Sequence, residues 1–322
     1  DELEYLHVIG ALPTRTVAAT TYPVLDITGQ TALAFSGQGS AVEVVEKVKN
    51  KAIGKVEFYA NEAANKFANT FGEGNTEISI RNIKSEKPDW SIVTTQPLTQ
   101  LQDDNTRLFW QGSIGSYDQS GDRRTTVNLG LGKRWLLDNE NAISGINLFT
   151  DYETSSKHSR ASLGGEYKRS NVELYANNYW GLSGTKEVNG SNEDALDGRD
   201  IMFRGQAPYL PWMNIVLKRY HWDRTDKDDI KGGNYGVEMH LTPESKLEVG
   251  RQDDNYMDKT TYGKLTYSFG PKTEHASLQN KVVSDEVWKN SENMKDRMLD
   301  KVERSNKIVV AVKGGIVISR RD

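Results

Sequence analysis

The run TVNLGLGKRWLLD, residues 126–138, decides how this chain is read. In an extended strand Val127, Leu129 and Leu131 share one face, and Asn128, Gly130, Gly132 and Arg134 share the other. Successive strand side chains point to opposite faces, so this is a strand with one apolar and one polar side. Two later stretches repeat the pattern. Ala161, Leu163, Gly165 and Tyr167 oppose Ser162, Gly164, Glu166 and Lys168, and Tyr235, Val237, Met239 and Leu241 oppose Asn234, Gly236, Glu238 and His240. Working outward, the two-residue period extends from Asn75 to Phe269. It predicts twelve strands, at 75–84, 89–98, 105–116, 123–136, 141–153, 158–170, 171–182, 198–208, 212–222, 233–242, 245–252 and 259–269. In a soluble sandwich the apolar face would meet a second sheet; in an outer-membrane barrel it would meet lipid. Alternation alone fits both.

The connections separate the two. Short links at Asp138 to Glu140, Arg169 to Asn171, Tyr209 to Pro211 and Thr242 to Glu244 alternate with polar stretches at Tyr117 to Asp122, Ser183 to Asp197, Asp223 to Gly232 and Asp253 to Asp258. The link Leu98 to Asp104 is the exception. Short turns at one end and long loops at the other, with an even strand number, mark a meander inserted in the bacterial outer membrane. Trp90, Trp110, Trp135, Trp180, Trp212 and Trp222 fall in the strand region, most near strand ends, as do Tyr117, Tyr152, Tyr209 and Tyr267. Rings so placed form girdles at headgroup level.

Composition excludes other classes. The 322 residues carry 41 Lys and Arg against 45 Asp and Glu, a net charge of -4, which leaves no basic footprint for nucleic acid. No run approaches the roughly 18 apolar residues of a membrane helix. Without cysteine there is no disulfide, thiolate chemistry or Cys-based metal site. His7, His158, His221, His240 and His275 show no metal-ligand spacing, and Asp223 to Asp229 lacks the glycine and distal glutamate of a calcium loop. Gly130-Leu-Gly-Lys133 lies within a strand and lacks the spacing of a phosphate loop, so its glycines are read as allowing close backbone approach or coiling. No motif supports a catalytic site, and neither an enzyme nor a cofactor is expected.

The flanks differ. Residues 1–40 read as irregular, and Ser40 caps a helical stretch over 41–74. The chain opens at Asp1 without Met or an apolar leader, as a processed or cropped segment does. After Pro271, Leu278, Val282, Val287, Met294, Met298 and Val302 predict a polar helix over 277–304, followed by extended chain. A mostly polar helix needs a polar container. A barrel lumen lined by Arg134, Glu166, Lys168, Arg204 and Glu238 would be one.

Several stretches in order carry a family resemblance. These are NKFANTFGEGNTEISI (65–80), TVNLGLGKRWLLD (126–138), GINLFTDYETSSKHSRASLGGEYKRSNVELYANNYWGLSG (145–184), RGQAPYLPW (204–212) and DKVERSNKIVV (300–310). Together they resemble the β-domain of inverse autotransporters, the intimin and invasin family, over roughly residues 60–312. The resemblance implies both ends of the sheet at the periplasmic side and a C-terminal segment threaded through the lumen, including Val302, Glu303, Arg304, Asn306, Ile308 and Val309. It also implies a passenger, in this family often adhesive, carried to the cell surface. On the last strand Gly263, Leu265, Tyr267 and Phe269 share a face, and the alternation ending in an aromatic resembles the signal read by the barrel assembly machinery.

The expected fold is therefore all-β. It is a 12-stranded antiparallel transmembrane barrel over 75–269, with a periplasmic helix before it and a helical and extended linker, 270–322, through its lumen. The expected function is outer-membrane anchoring and export of the chain's own C-terminal passenger. Outer-membrane lipid, lipopolysaccharide, the assembly machinery and a receptor for the passenger are its partners. The alternative is a free-standing outer-membrane channel or structural barrel without a passenger, and a soluble β-rich binding protein is the third reading.

Overall fold

Strands form where the two-residue period holds, and turns form where the backbone needs special conformations. Asp138, Asn139 and Glu140 take φ of 52°, 52° and 69° in one short link. Asn189 and Gly190, at φ 49° and 76°, close a two-residue hairpin, the pairing of residues that a type I′ turn favours. The structure, a computed structural model, describes residues 74–82, 88–101, 105–119, 122–225, 227–270, 276–280, 283–288 and 293–313. The segments expected at 1–40 and over 41–73, and the end of the linker from 314, lie outside the described residues.

The strands are β1 (Asn75–Arg81), β2 (Asp89–Pro97), β3 (Thr106–Gln119), β4 (Asp122–Leu137), β5 (Ala142–Glu153), β6 (Ser159–Arg169), β7 (Val172–Gly181), β8 (Lys186–Val188), β9 (Ser191–Ala195), β10 (Gly198–Ala207), β11 (Leu210–Trp222), β12 (Ile230–His240), β13 (Ser245–Asp254), β14 (Thr260–Phe269) and β15 (Val310–Lys313). Twelve of them close a barrel in the order β1-β14-β13-β12-β11-β10-β7-β6-β5-β4-β3-β2. Every neighbouring pair is antiparallel, and the seam runs from Thr76 opposite Phe269 to Arg81 opposite Lys264. β8, β9 and β15 form a separate three-stranded sheet. The start of β1, the end of β14 and the turns after β2, β4, β6, β10 and β12 share what we term the near end; the other connections mark the far end. Among the described residues no helix is long and apolar enough to cross a membrane; the strands make the wall.

Two stretches read as loops are largely strand. β3 and β4 stay paired to Gln119 opposite Asp122, because Asp118 faces Arg123 across the ladder and Arg123 also reaches Ser116 Oγ at 2.8 Å. Opposite charges on facing strands stabilise a polar hairpin that no apolar period announces. Within 183–197, β8 and β9 flank the Asn189-Gly190 turn.

The barrel is built inside out. Leu129, Leu131, Ile146, Leu148 and Leu163 are each more than half exposed on the outer wall, whereas Arg134, Asn147, Asp151, Ser162 and Glu166 are buried inside. Each outer leucine would gain about 1.5–3 kcal/mol on leaving water, which only a surrounding apolar phase supplies all round the wall.

Two inward glycines act as seats for rings. Gly130 lies opposite Phe149 on β5 and Gly132 opposite Phe109 on β3. A Cβ at either position would sit 2.3 Å from the facing ring. Gly130→Ala is expected to cost about 1–3 kcal/mol, the usual range for overpacking. It should lower the temperature at which the barrel loses its compact migration on unheated gels. Adding Phe149→Leu should restore most of that loss, and no restoration would argue against the seat.

Candidate functional site: the threaded lumen

The C-terminal chain first follows the near-end rim. Leu278 N donates to His240 O at 2.8 Å, Ser284 N to Tyr209 O at 2.8 Å, Tyr209 N to Val287 O at 3.0 Å, and Met294 N to Glu140 O at 2.9 Å. The helix expected over 277–304 is not formed. Among its described residues only the 3-10 turn Met294–Arg297 is helical, capped by Asn293. Met294 and Met298 then pack on Leu136 and Ile143 at the near mouth, and the chain turns inward.

Inside, barrel side chains replace the partners that a helix would have supplied. Arg134 donates to Met298 O at 2.9 Å and Asp300 O at 2.6 Å. Val302 N donates to Gln111 Oε1 at 2.7 Å, and Asn177 Nδ2 donates to Glu303 O at 3.1 Å. Ser305 N donates to the Tyr179 hydroxyl at 2.8 Å. Arg160 donates to Ser305 O at 2.6 Å and Lys307 O at 3.0 Å, and Asn128 Nδ2 donates to Asn306 O at 3.0 Å. Buried backbone groups must be paired, and here the wall pairs them along an extended chain. The helical spacing of the segment's own side chains is overruled by these donors from the wall.

Charges are paired across the same space. Arg134 grips Glu166 through Nε at 2.5 Å and Nη2 at 3.1 Å, and Lys168 Nζ lies 3.2 Å from the same carboxylate. Arg204 meets Glu173 at 2.5 Å, Glu303 at 2.8 Å and Glu238 at 3.3 Å, and Arg297 also pairs with Glu173. Arg304 meets Asp151 at 2.7 Å and lies 4.4 Å from the centre of the Phe149 ring. Arg134 stacks at 4.4 Å on Phe109 and Arg160 at 4.4 Å on Tyr179. Val302 and Ile308 are buried, Val302 in a cluster with Phe109, Phe149 and Leu299. Near the near mouth a cavity of about 120 Å³ remains beside Glu77, Glu173, Arg204 and Lys301, room for a few waters.

At the far mouth β15 pairs with β9, from Val310 opposite Ala195 to Lys313 opposite Asn192. Glu193 of β9 is held by Arg124 through two bonds of 2.7 Å, and Arg124 also reaches Glu153 at 3.1 Å. Val309 and Ala311 pack against Tyr179, Leu196, Trp222 and Ile230.

Arg134, Glu166, Lys168, Arg204 and Glu238 thus all lie buried inside; Arg134 and Arg204 touch the threaded chain, Glu166 pairs with Arg134 and Lys168, and Glu238 pairs with Arg204. The sequence reading passed over Gln111, Arg124, Asp151, Arg160, Glu173 and Tyr179. Strand parity carried the signal for most: Asp151 and Arg160 stand opposite each other, in step with the inward residues already named. Gly263, Leu265, Tyr267 and Phe269 share the outer face of β14, with the Tyr267 and Phe269 rings 4.7 Å apart.

Among the described residues His221, Asp223 and Asp229 form one group of metal-competent side chains. Arg199 Nη2 sits 3.3 Å from His221 Nδ1. His221 Nε2 lies 3.0 Å from Asp229 Oδ2 and 3.2 Å from Asp223 Oδ1. These contacts tie together the two ends of the β11–β12 connection.

The family profile described as "Inverse autotransporter, beta-domain" matches residues 29–306. The chain belongs to the inverse autotransporter β-domain family. It is 26% identical to intimin of Escherichia coli O111:H- over 67% of this chain and 24% of that one. It is 25% identical to invasin of Yersinia enterocolitica over 68% of this chain and 25% of that one. A putative attaching and effacing protein homolog of Escherichia coli strain K12 is 27% identical over 61% of this chain and 67% of that one. The chain spans about a quarter of the length of intimin and invasin. A solved structure from work on the in-meso crystallization of membrane proteins shares the fold, with a TM-score of 0.61, 20% identity and coverage of 74% of this chain and 99% of that one. This inverse autotransporter barrel is thus a bacterial outer-membrane protein, and, as its family and adhesin-type relatives indicate, not an enzyme.

Proposed function

We propose that the barrel anchors and exports a passenger joined to the end of the threaded chain. The near end, where β1 starts and β14 ends, faces the periplasm, as does the N-terminus, and the far end faces the exterior. One observation supports this above the rest: a single chain runs from the near-end rim, through the lumen, to a β-strand at the far mouth. Residues 302–309 are the part held in the lumen, where the cations of the wall grip both its carbonyls and its carboxylates. Export needs no nucleotide site on this reading; folding of the passenger outside supplies the pull. The outer face of β14, with Gly263, Tyr267 and Phe269, is the assembly signal read by the barrel assembly machinery. The passenger, as in an adhesin, is what meets a receptor.

Orientation is the decisive test. An epitope fused after Asp322 should bind antibody on intact cells, and one inserted before Asn75 should bind only after permeabilisation. The reverse result would overturn both the orientation and the export role.

A further inference from the structure

The outer wall carries a feature that the threaded chain does not use. At the far end of β10, β11 and β12 the outward positions are Arg199, His221 and Lys231, direct neighbours in register. Further in, Arg219 and Arg251 flank the outward Tyr235: Arg251 stands opposite it on β13, and the Arg219 guanidinium lies 5.3 Å from its ring centre. Arg199, Arg219, Lys231 and Arg251 are all exposed. Toward the middle of the wall the same strands present Ile201, Phe203, Ile215 and Leu217, exposed apolar residues of the lipid-facing band. Near the far end, β2, β5 and β7 present Trp90, Tyr152 and Trp180 outward. Four cations are therefore gathered in one four-strand sector, whereas at this end β2, β5 and β7 carry uncharged rings and the outward Arg123 of β4 stands opposite Asp118.

An outward cation is costly at the middle of the bilayer and nearly free at its boundary, so these groups mark headgroup level. Among the described residues no carboxylate lies within ion-pair distance of Arg199, Arg219 or Arg251, whereas Lys231 and His221 share Asp229 at 3.8 Å and 3.0 Å. Three guanidiniums without a carboxylate partner form a surface for phosphate, which the planar fork binds through paired hydrogen bonds. Three interstrand steps of about 4.8 Å make the patch roughly 14 Å wide. A headgroup carrying two separated phosphates spans that width, and a single phosphodiester does not.

We propose that Arg199, Arg219, Lys231 and Arg251 bind the bisphosphorylated glycolipid headgroup, lipid A, of the outer leaflet. This rests on the orientation proposed above, which places these residues in that leaflet. The sector then fixes the barrel's depth and rotational setting by one specific lipid contact.

The test uses the full chain in detergent, titrated with bisphosphoryl lipid A and followed by native mass spectrometry. Lipid A without phosphates, phosphatidylglycerol and inorganic phosphate are the comparison ligands. Each cation near an anionic headgroup contributes roughly a factor of five. The combined variant Arg199→Gln, Arg219→Gln, Arg251→Gln should therefore lose about a hundred-fold in affinity for bisphosphoryl lipid A. A control variant, Lys133→Gln with Arg169→Gln near the other end, should bind as the parent does. Compact migration on unheated gels verifies that both variants are folded. Equal affinity in the triple variant and the parent would overturn the site, as would equal binding of phosphatidylglycerol or inorganic phosphate. Lys227→Cys in the far-end β11–β12 connection reports orientation separately. Labelling on intact cells supports lipid A as occupant; labelling only after permeabilisation overturns the orientation and this occupant, whatever the detergent titration shows.

Discussion

Deletion of residues 277–312 is expected to turn a barrel that passes no steady current into an open channel in planar bilayers. The deleted stretch supplies Val302, Glu303, Arg304 and Ile308, the groups that fill the lumen. The closed ring of strands contains no residue of that stretch, so the wall stays hydrogen-bonded when it is lost. Arg134, Arg160, Asp151 and Glu173 would then face water, and a twelve-strand lumen lined by charge conducts ions. Replacing only 298–309 with a Gly-Ser chain of the same length should give an intermittent channel, because the chain would remain but its side-chain contacts would not. Equal conductance before and after the deletion would sink the threaded-linker reading and favour a free-standing channel.

The second large effect concerns Glu166. This carboxylate faces both Arg134, at 2.5 Å, and Lys168, at 3.2 Å, and all three side chains are fully buried. Glu166→Leu leaves two cations together without their anion. Breaking a buried pair by removing one partner costs about 3–5 kcal/mol. The barrel should unfold at a markedly lower urea concentration, measured by loss of its compact migration. Glu166→Gln keeps an acceptor for Arg134 and should cost less. Adding Lys168→Leu to Glu166→Leu should recover part of the loss, because the remaining guanidinium still donates to Met298 O and Asp300 O and stacks on Phe109. If Glu166→Leu unfolds as the parent does, the cluster is not holding the lumen together.

The wall was legible because lipid on one side and a polar lumen on the other impose opposite demands on alternate residues. Val127, Leu129 and Leu131 against Asn128 and Arg134 state those demands within a few positions. The period fails where both faces meet water, and for that reason the tall ends of β3 and β4 and the β8–β9 hairpin were read as loops. Asn189-Gly190 was a turn signal in plain view inside that loop. The threaded segment misled for another reason. The spacing from Leu278 to Val302 suits a helix, but the carbonyls of Met298, Asp300, Ser305 and Lys307 find donors in Arg134 and Arg160, residues more than a hundred positions away in sequence. Local pattern has no access to such partners. The wall residues named from sequence, Arg134 and Glu166 among them, were found by face alone, and only the closed barrel shows what they hold.

The pairing of β15 with β9 has a mechanical consequence. A tug on the chain beyond Lys313 acts along β15, which runs antiparallel to β9, so the rungs from Val310 to Lys313 are loaded together in shear rather than peeled one at a time. Behind that ladder the load divides. One branch passes through Glu193 to Arg124 and the wall; the other passes down the chain to Arg160, Asp151 and Arg134. A cell tethered by such a chain would hang from the cylinder itself, with its grip spread over many side chains rather than resting on one.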